Sequence, residues 1–229
     1  MANKNPRKAV AAHGQGTRLS DLAYVRIFEI LYERKLPAGA FVPQSLLVEL
    51  TGVPIAPLRD ALRTLEAEGV LTIHPHSGIQ FIKPGLELTR STYQFRGIVE
   101  AAAVAVYAET ATDAEISALL ERHKQVALSL EENGFMPHNA ADLEQLEESL
   151  HGTIVASLSN PLIDTSYRRI RNYLKLLRLD RKLSAPLALR SVREHIAVLE
   201  ACKARDAPAA VAAIQSHFAA ALQRNLGLY

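Results

Sequence analysis

Apolar residues recur at helical spacing along most of the chain, and the pattern changes to strict alternation in one short stretch. In residues 43–69, leucines fall into two short helical periods that are separated by Thr51-Gly52. Residues 70–73 and 79–82 then alternate on either side of a turn. Two short helices joined by a Gly-containing turn and followed by a two-stranded wing predict a winged helix-turn-helix, whose second helix enters the major groove of DNA.

Helical periodicity predicts one helix before this module and six after it. The first runs from Ser20 to Lys35 and is closed by the Pro37-Ala38-Gly39 turn. A break at residues 83–85 precedes the other six, which are predicted at 89–110, 113–132, 139–158, 161–182, 186–205 and 206–226. Helices of this length without intervening strands predict an antiparallel bundle.

The predicted fold is therefore mainly α, with an N-terminal winged helix-turn-helix that carries a small β-wing and a C-terminal all-α antiparallel helical bundle. We place a flexible basic tail at residues 1–18, the winged module at 19–83, a linker at 84–88 and the helical domain at 89–229. The tail is polar and lacks acidic residues. We expect it to be loosely ordered, either as a solvated segment or as an arm that touches phosphate on DNA.

Composition bounds the class of protein. The 229 residues leave room for two modest domains, and 48% hydrophobic residues with a mean hydropathy of +0.03 can fill packed cores. The sequence has no apolar run of about 18 residues and no hydrophobic signal segment, which predicts a cytoplasmic protein without a membrane partner. The single cysteine, Cys202, excludes an internal disulfide framework and a cysteine-based zinc finger.

Charge by itself does not predict DNA binding, because the net charge is only +2. Residues 1–85 hold ten basic and seven acidic residues, and residues 86–229 hold sixteen and seventeen. Four of the basic residues lie in the tail, so the helix-turn-helix region without them is slightly acidic. The prediction of DNA binding therefore depends on the motif.

The second helix of the module carries a long, position-specific pattern, P-x-R-[ED]-A-L-x-x-L-x-x-[ED]-G, and a further glycine stands in the wing. The matching residues are Pro57, Arg59, Asp60, Ala61, Leu62, Leu65, Glu68, Gly69 and Gly78. At these positions the chain resembles the GntR family of bacterial transcription regulators. The resemblance implies that this helix is the DNA recognition helix.

The start of the recognition helix departs from the GntR pattern. Family members generally have Ser or Thr, then Arg, then Thr before the proline, whereas this chain has Pro54, Ile55 and Ala56. The missing Arg removes the side chain that most commonly reads guanine, so we expect an operator that differs from the usual family site. The candidate DNA-contacting residues are Arg59, Arg63, Ile55, Ala56 and His76.

These candidates have different expected roles. Arg59 is the main one, for phosphate or guanine, while Ile55 and Ala56 are candidates to lie against thymine methyl groups. Arg63 is either a DNA contact or a solvated charge on the helix face.

Three histidines, His151, His195 and His217, fall at helical spacing with apolar residues, and Glu147 shares the face of His151 one turn earlier. One such histidine is more commonly a hydrogen-bonded core residue. Three of them with an inward carboxylate predict a shared divalent cation, because an unpaired buried Glu is costly. This ligand set suits Zn, Ni, Fe or Mn, and we expect Zn.

The same constellation resembles the FadR C-terminal (FCD) ligand-sensing domain of the GntR family. Members have Asp-x-x-[F/L]-His on one helix, Ser-x-x-Glu-His on a later one, Asn-Pro between them and a final His near the C-terminus. The matching segments are Glu147 to His151, Asn160-Pro161, Ser191 to His195 and His217, with Arg96 and Glu100 in the first helix. The chain departs from the pattern at Glu147, where Asp is usual, which leaves the metal's identity open.

The FCD resemblance also implies a cavity in which the metal keeps open positions for a small carboxylate effector, with an arginine at its far end. Arg96 is the first candidate for this arginine. Arg171 is the second, although it stands in a basic run that also suits a surface charge.

Three functions are compatible with these patterns. The leading hypothesis is a homodimeric transcription regulator, a repressor, that binds a palindromic operator under the control of a small organic-acid effector. The second is an enzyme in which the metal activates water, but we find no general base beyond the ligands and no H-E-x-x-H motif. The third is a dimeric adaptor with a structural metal and a degenerate helix-turn-helix.

Overall fold

The computed structural model describes residues 18–136, 139–178 and 184–226, with the backbone alone for Arg178. The chain divides into two compact units, Met1–Ile82 and Lys83–Tyr229. The predicted tail at residues 1–18 lies outside the described residues except for Arg18. Within the described ranges, no helix is long and apolar enough to cross a membrane.

The described part of the N-terminal unit consists of three helices and three short strands. They are α1 (Leu19–Tyr32), β1 (Phe41–Val42), α2 (Gln44–Thr51), α3 (Ile55–Ala67), β2 (Leu71–His74) and β3 (Gly78–Phe81). Leu58, Leu62 and Leu65 of α3 are fully buried, as their helical spacing predicts. Gly52 ends α2 with φ of 63°, a left-handed conformation in which any Cβ would be strained. The predicted winged helix-turn-helix is confirmed.

The wing is a three-stranded antiparallel sheet rather than the predicted two-stranded hairpin. β3 lies between β1 and β2, and Val42 of β1 pairs with Ile79 of β3. A strand of two residues has too few positions to show alternation, so the sequence pattern does not reveal β1. At Gly78 a Cβ would lie 2.8 Å from the carbonyl oxygen of Val42, which explains the need for glycine in the wing.

Six helices form the described part of the C-terminal unit, which confirms the predicted helical domain. They are α4 (Leu86–Thr110), α5 (Asp113–Asn133), α6 (Asn139–Ala156), α7 (Pro161–Arg178), α8 (Ala185–Lys203) and α9 (Ala207–Asn225). Helix α4 packs against α9 and α6, and α8 packs against α5 and α9. The helical residues predicted at 179–182 lie outside the described ranges.

The predicted linker at 84–88 is shorter in the structure, because α4 begins at Leu86. The backbone N–H and the hydroxyl of Thr89 both donate to the carbonyl oxygen of Gly85, which extends the first turn toward the glycine. Side chains cap two other helix starts. Thr112 forms a reciprocal capping box with Glu115 at α5, and Asn160 Oδ1 accepts from backbone N–H groups at the start of α7.

Three helices end before the predicted residue because a non-glycine residue adopts a left-handed backbone. Arg34, with φ of 55°, follows the end of α1, Ser159, with φ of 48°, follows α6, and Arg205, with φ of 59°, follows α8. Such endings satisfy the last carbonyl groups of a helix. Because Arg and Ser carry no general preference for this conformation, their sequence positions do not mark the helix ends.

Candidate metal centre

Four side chains from three helices meet at one point of the C-terminal unit. Glu147 and His151 come from α6, His195 from α8 and His217 from α9. One potential ligand atom of each lies within 4.8 Å of those of the other three. The three imidazoles are at most 3% exposed, whereas the Glu147 side chain is 18% exposed. The structure thus brings together all four residues that the sequence singles out for a metal.

The packing of the helices explains why these polar rings point inward. Each histidine lies on a helix face that is otherwise apolar and buried. The buried neighbours at helical spacing are Leu150, Ile154, Val192, Leu199, Ile214 and Phe218. Burial of each such side chain stabilises the fold by about 1.5–3 kcal/mol, so the apolar faces fix the helix orientations and carry the imidazoles with them.

Glu100 of α4 fixes the orientation of the His151 ring. Its Oε2 lies 2.6 Å from His151 Nδ1, and its Oε1 accepts from Arg96 Nε at 2.7 Å and from the Tyr167 hydroxyl at 2.9 Å. An ionised carboxylate can only accept, so His151 carries its proton on Nδ1. Nε2 of His151 therefore presents its lone pair 3.7 Å from Glu147 Oε2, which is the orientation a metal ligand needs.

The environment of this pair keeps the Glu100 carboxylate ionised and the His151 imidazole neutral. Burial raises the pKa of the Glu100 carboxyl, but Arg96 and His151 outweigh it and hold that pKa at about 2. Burial, and then the charge of Arg96, lower the pKa of His151 to about 4. At neutral pH a neutral imidazole therefore faces an ionised carboxylate, and a neutral imidazole is the form that binds metal.

Glu194 of α8 holds His217 in the same way. Glu194 Oε2 lies 2.9 Å from His217 Nδ1, and both terminal nitrogens of Arg224 donate to the Glu194 carboxylate at 2.7 Å. Burial raises the pKa of Glu194, but hydrogen bonds from His217 and Arg224 outweigh it and bring that pKa to about 2. Burial lowers the pKa of His217. Nε2 is again the nitrogen left for a cation.

His195 differs from the other two histidines. Its Nε2 lies 3.3 Å from Glu147 Oε1 without hydrogen-bond geometry, and neither ring nitrogen has a hydrogen-bond partner among the described residues. Burial lowers the pKa of His195, so the ring is neutral. Ligands bound to one zinc ion at about 2 Å lie roughly 3–3.5 Å apart, so the distances from Glu147 suit a shared ion. The donor set and the unpartnered buried nitrogens fit a divalent cation.

A fourth buried histidine, His123 of α5, is absent from the sequence prediction. Its ring centroid lies 5.4 Å from that of His195, and its Nδ1 lies 2.7 Å from the carbonyl oxygen of Leu119. Burial lowers the pKa of His123 to about 4. The helical spacing of Ile116, Leu120 and His123 on one buried face is the signal that could have revealed it.

A cavity adjoins the four residues on the side of Glu147 and His151. It has a volume of about 30 Å³, and Arg96, Tyr167 and Arg171 are among its lining residues. A wider cleft of about 320 Å³ shares Tyr167 and Arg171 with it. Both arginines predicted for effector binding therefore line the cavity beside the candidate ligands.

The two arginines are held differently. Arg96 is 1% exposed, and its guanidinium carbon lies 4.6 Å from the ring centroid of Phe218. Its Nη2 is buried without a hydrogen-bond partner among the described residues. Arg171 is partly exposed and pairs with Glu148 at 2.7 Å. Arg96 thus has a buried donor without an acceptor among the described residues, whereas one donor of Arg171 is paired with Glu148.

The model of the FCD domain family matches residues 91–220, more than half of the chain. The chain belongs to the FCD domain family. All four candidate ligands lie within the matched residues.

Solved structures share the fold of this FCD protein. McbR/YncC from E. coli has a TM-score of 0.73 at 17% identity, and the match covers 93% of this chain and 100% of that chain. A protein from Rhodococcus sp. RHA1 described as a GntR transcriptional regulator has a TM-score of 0.72 at 16% identity, over 92% and 98% of the two chains. Among curated protein sequences, none matches significantly.

The family match and the shared fold confirm the resemblance to GntR regulators with an FCD domain. The family match and this shared fold favour the hypothesis of a DNA-binding transcription regulator over that of a metal-dependent enzyme.

Within the N-terminal unit of the FCD protein, the predicted DNA-contacting residues lie on the surface. Ile55 is 41% exposed at the start of α3, and Ala56, Arg59 and Arg63 are exposed along the same helix. His76 is exposed in the turn between β2 and β3. The five candidates therefore lie on the helix and the wing that a winged helix-turn-helix turns toward DNA.

The surroundings of α3 agree with its unusual start. Pro54 precedes the helix and provides no side-chain cap, as expected where Ser or Thr is replaced. Arg59 Nε donates to Gln44 Oε1 at 3.3 Å, and Arg63 lies 3.9 Å from Asp60. Both arginines remain exposed.

Proposed function

We propose that this FCD protein is an effector-controlled regulator whose helical domain binds one divalent cation through Glu147, His151, His195 and His217. The observation that carries the proposal is the convergence of these four ligand atoms within 4.8 Å, with two of the imidazoles held by buried carboxylates. Metal-binding histidines usually donate their second N–H to such an acceptor. Three neutral imidazoles and one carboxylate favour Zn, with Ni, Mn or Fe as alternatives.

A small organic acid is the effector that this site would recognise. The cavity lies beside Glu147 and His151, so a cation bound there would have an open side toward it. The unpartnered Nη2 of buried Arg96 and the partly exposed Arg171 supply positive charge in the same cavity. A carboxylate that contacts both the cation and an arginine would satisfy these groups together.

The metal and effector would act on DNA binding through linkage. If the effector binds better to one conformation of the protein, it shifts the balance between operator-bound and free protein, and DNA has the reciprocal effect on the effector.

We propose a homodimeric repressor, since two copies of α3 on a palindromic operator match the usual geometry of such modules. Apolar side chains available for contact between copies include Ile98 and Leu162, which are 68% and 79% exposed.

Two measurements test the proposal. Metal analysis and chelator competition on purified protein should show one Zn²⁺ per chain, and His195→Ala should lose it. Gel shifts with DNA upstream of the protein's own gene should show a complex that a panel of mono-, di- and tricarboxylates releases.

The outcomes separate regulation from other roles of the metal. If the His195→Ala variant loses zinc and the effector response but still binds DNA, the result supports a sensory metal. A variant that loses zinc and unfolds indicates a structural metal. Wild-type protein that binds no divalent cation would overturn the proposed metal centre.

A further inference from the structure

His123 lies beside the four candidate ligands but is not one of them. Its side chain is fully buried, and its ring meets that of His195 at an interplanar angle of 72° with centroids 5.4 Å apart. The ligand atoms that converge within 4.8 Å belong to the other four residues and exclude His123. A buried imidazole next to a metal centre, yet outside it, needs a hydrogen-bonding role, because buried polar atoms are almost always paired.

His195 lacks the support that the other two ligand histidines have. His151 and His217 each donate Nδ1–H to a carboxylate, which leaves Nε2 for the cation. In His195 the nitrogen nearest Glu147 is Nε2, at 3.3 Å. When Nε2 faces the cation, Nδ1 carries the proton, and Nδ1 is buried without an acceptor among the described residues.

His123 offers the complementary atom. Its Nδ1 lies 2.7 Å from the Leu119 carbonyl oxygen, which can only accept, so the proton of the neutral ring sits on Nδ1. Its Nε2 therefore carries a lone pair, and this atom is also buried without a partner in the described part of the chain. Rings whose centroids are 5.4 Å apart place nitrogens that face each other about 3 Å apart, which is the length of a hydrogen bond.

We propose that His123 is the positioning residue of His195, an inference that rests on the metal centre proposed above. Nε2 of His123 accepts the Nδ1–H of His195, directly or through one water molecule, and so fixes the nitrogen that His195 presents to the cation. Each ligand histidine then has an acceptor behind it: Glu100, Glu194 or His123. The two carboxylates each pair with a buried arginine, whereas a neutral imidazole needs no counter-charge.

Substitutions at position 123 distinguish an acceptor from a space-filling side chain. His123→Leu removes the acceptor and should weaken Zn²⁺ binding by about 10–100-fold in chelator competition, as loss of such a partner typically does. His123→Gln restores an acceptor oxygen and should recover affinity to within a few-fold of wild type. Leu120→Met, a buried neighbour on α5, changes packing without removing an acceptor and should leave zinc affinity unchanged.

Nuclear magnetic resonance of the zinc-loaded protein with ¹⁵N-labelled histidine supplies a readout that a purely structural role would not change. In the wild type, His123 should be protonated on Nδ1, and the Nδ1–H of His195 should be protected from solvent exchange. That protection should disappear in His123→Leu and persist in His123→Gln. If His123→Leu does not fold, the wild-type tautomers and the glutamine variant still decide the question.

Each result has a definite meaning. Zinc affinity unchanged in folded His123→Leu, equal loss in the glutamine and leucine variants, or a wild-type His123 protonated on Nε2 would overturn the positioning role alone. A wild-type protein that binds no zinc would overturn both this role and the proposed metal centre.

Discussion

Glu194 accepts a hydrogen bond from His217 over 2.9 Å and is itself held by both terminal nitrogens of Arg224. The Arg224 side chain is 3% exposed, so its position is fixed by packing as well as by charge. A bidentate arginine constrains both oxygens of a carboxylate. Glu194 therefore presents its Oε2 to His217 in one orientation, and a buried arginine determines how a candidate ligand is aimed.

Replacement of Arg224 should therefore weaken metal binding although Arg224 is not a ligand. We expect Arg224→Met to reduce Zn²⁺ affinity by about tenfold, because Glu194 loses its two buried donors and no longer fixes His217. Chelator competition measures the change. Arg190→Met is the matched control, since Arg190 also contacts Glu194, at 3.3 Å, but is 63% exposed. Equal losses in the two variants would contradict the orienting role of Arg224.

The buried pair of Arg96 and Glu100 should be coupled in stability. Both side chains are at most 1% exposed, and Nε and Oε1 are 2.7 Å apart. Glu100→Gln leaves the buried guanidinium without a counter-charge and should destabilise the metal-free protein by about 3–5 kcal/mol. Arg96→Met combined with Glu100→Gln removes both charges and should be less destabilising than the sum of the single changes.

Urea denaturation of the two single variants and the double variant completes this thermodynamic cycle. Additive losses across the cycle would show that the pair is not coupled. Direct weakening of zinc binding in Glu100→Gln, measured separately, would report the loss of the charged acceptor for His151.

The sequence predicts the four candidate ligands because each lies at helical spacing with apolar residues. That such an apolar helix face is buried can be inferred from the local sequence alone. The partners behind the ligands are harder to predict. Glu194 is adjacent to His195 in the sequence but contacts His217, because successive residues on a helix point in directions about 100° apart. Only the packing of α8 against α9 shows which histidine Glu194 serves.

Other features escape prediction for local reasons. His123 lies among Glu121, Arg122 and Lys124, and these charged neighbours hide the buried face that it shares with Leu120. The helix ends at Arg34 and Arg205 depend on left-handed backbone in residues that rarely adopt it. Strand β1 is defined by its pairing with β3, which lies almost forty residues later in the chain. The local sequence pattern around β1 therefore does not reveal it.

The stability of the metal-free protein should fall as the pH decreases below about 6.5. Folding lowers the pKa of His123 and of His151 from 6.5 to about 4, mainly by burial, and also lowers those of His195 and His217. The unfolded chain therefore takes up protons before the folded chain does. The stabilisation is complete above pH 6.5 and is lost as the pH falls through the folded values.

Urea denaturation between pH 7.5 and 4.5 measures this slope. Each buried histidine contributes at most about 1.4 kcal/mol per pH unit, and His123→Leu should remove one such contribution. A stability that is flat, or that rises, from pH 6.5 to 4.5 would contradict the neutral buried state of these rings.

Arg59 should be a principal DNA contact of the N-terminal unit. Its Nε donates to Gln44 Oε1, and the residue is exposed on the surface of α3. Arg59→Ala should weaken operator binding by about 1–3 kcal/mol. Lys35→Ala is the control, because Lys35 is also an exposed cation of this unit but lies outside α3 and the wing. Fluorescence anisotropy with labelled operator DNA, identified by selection from random sequence, measures both affinities.

The form of the loss tells phosphate from guanine. A phosphate contact releases about one counterion. Arg59→Ala would then reduce the slope of the logarithm of the binding constant against the logarithm of the salt concentration by about one, and it would weaken binding to all DNA sequences alike. A contact to guanine would instead relax the preference at one base pair, because the bidentate pairing specifies that base. Ile55→Ala should leave the salt dependence unchanged and reduce discrimination at a thymine, since an apolar side chain contacts no charge. Equal affinities for Arg59→Ala, Lys35→Ala and wild type would exclude this face of α3 from the DNA interface.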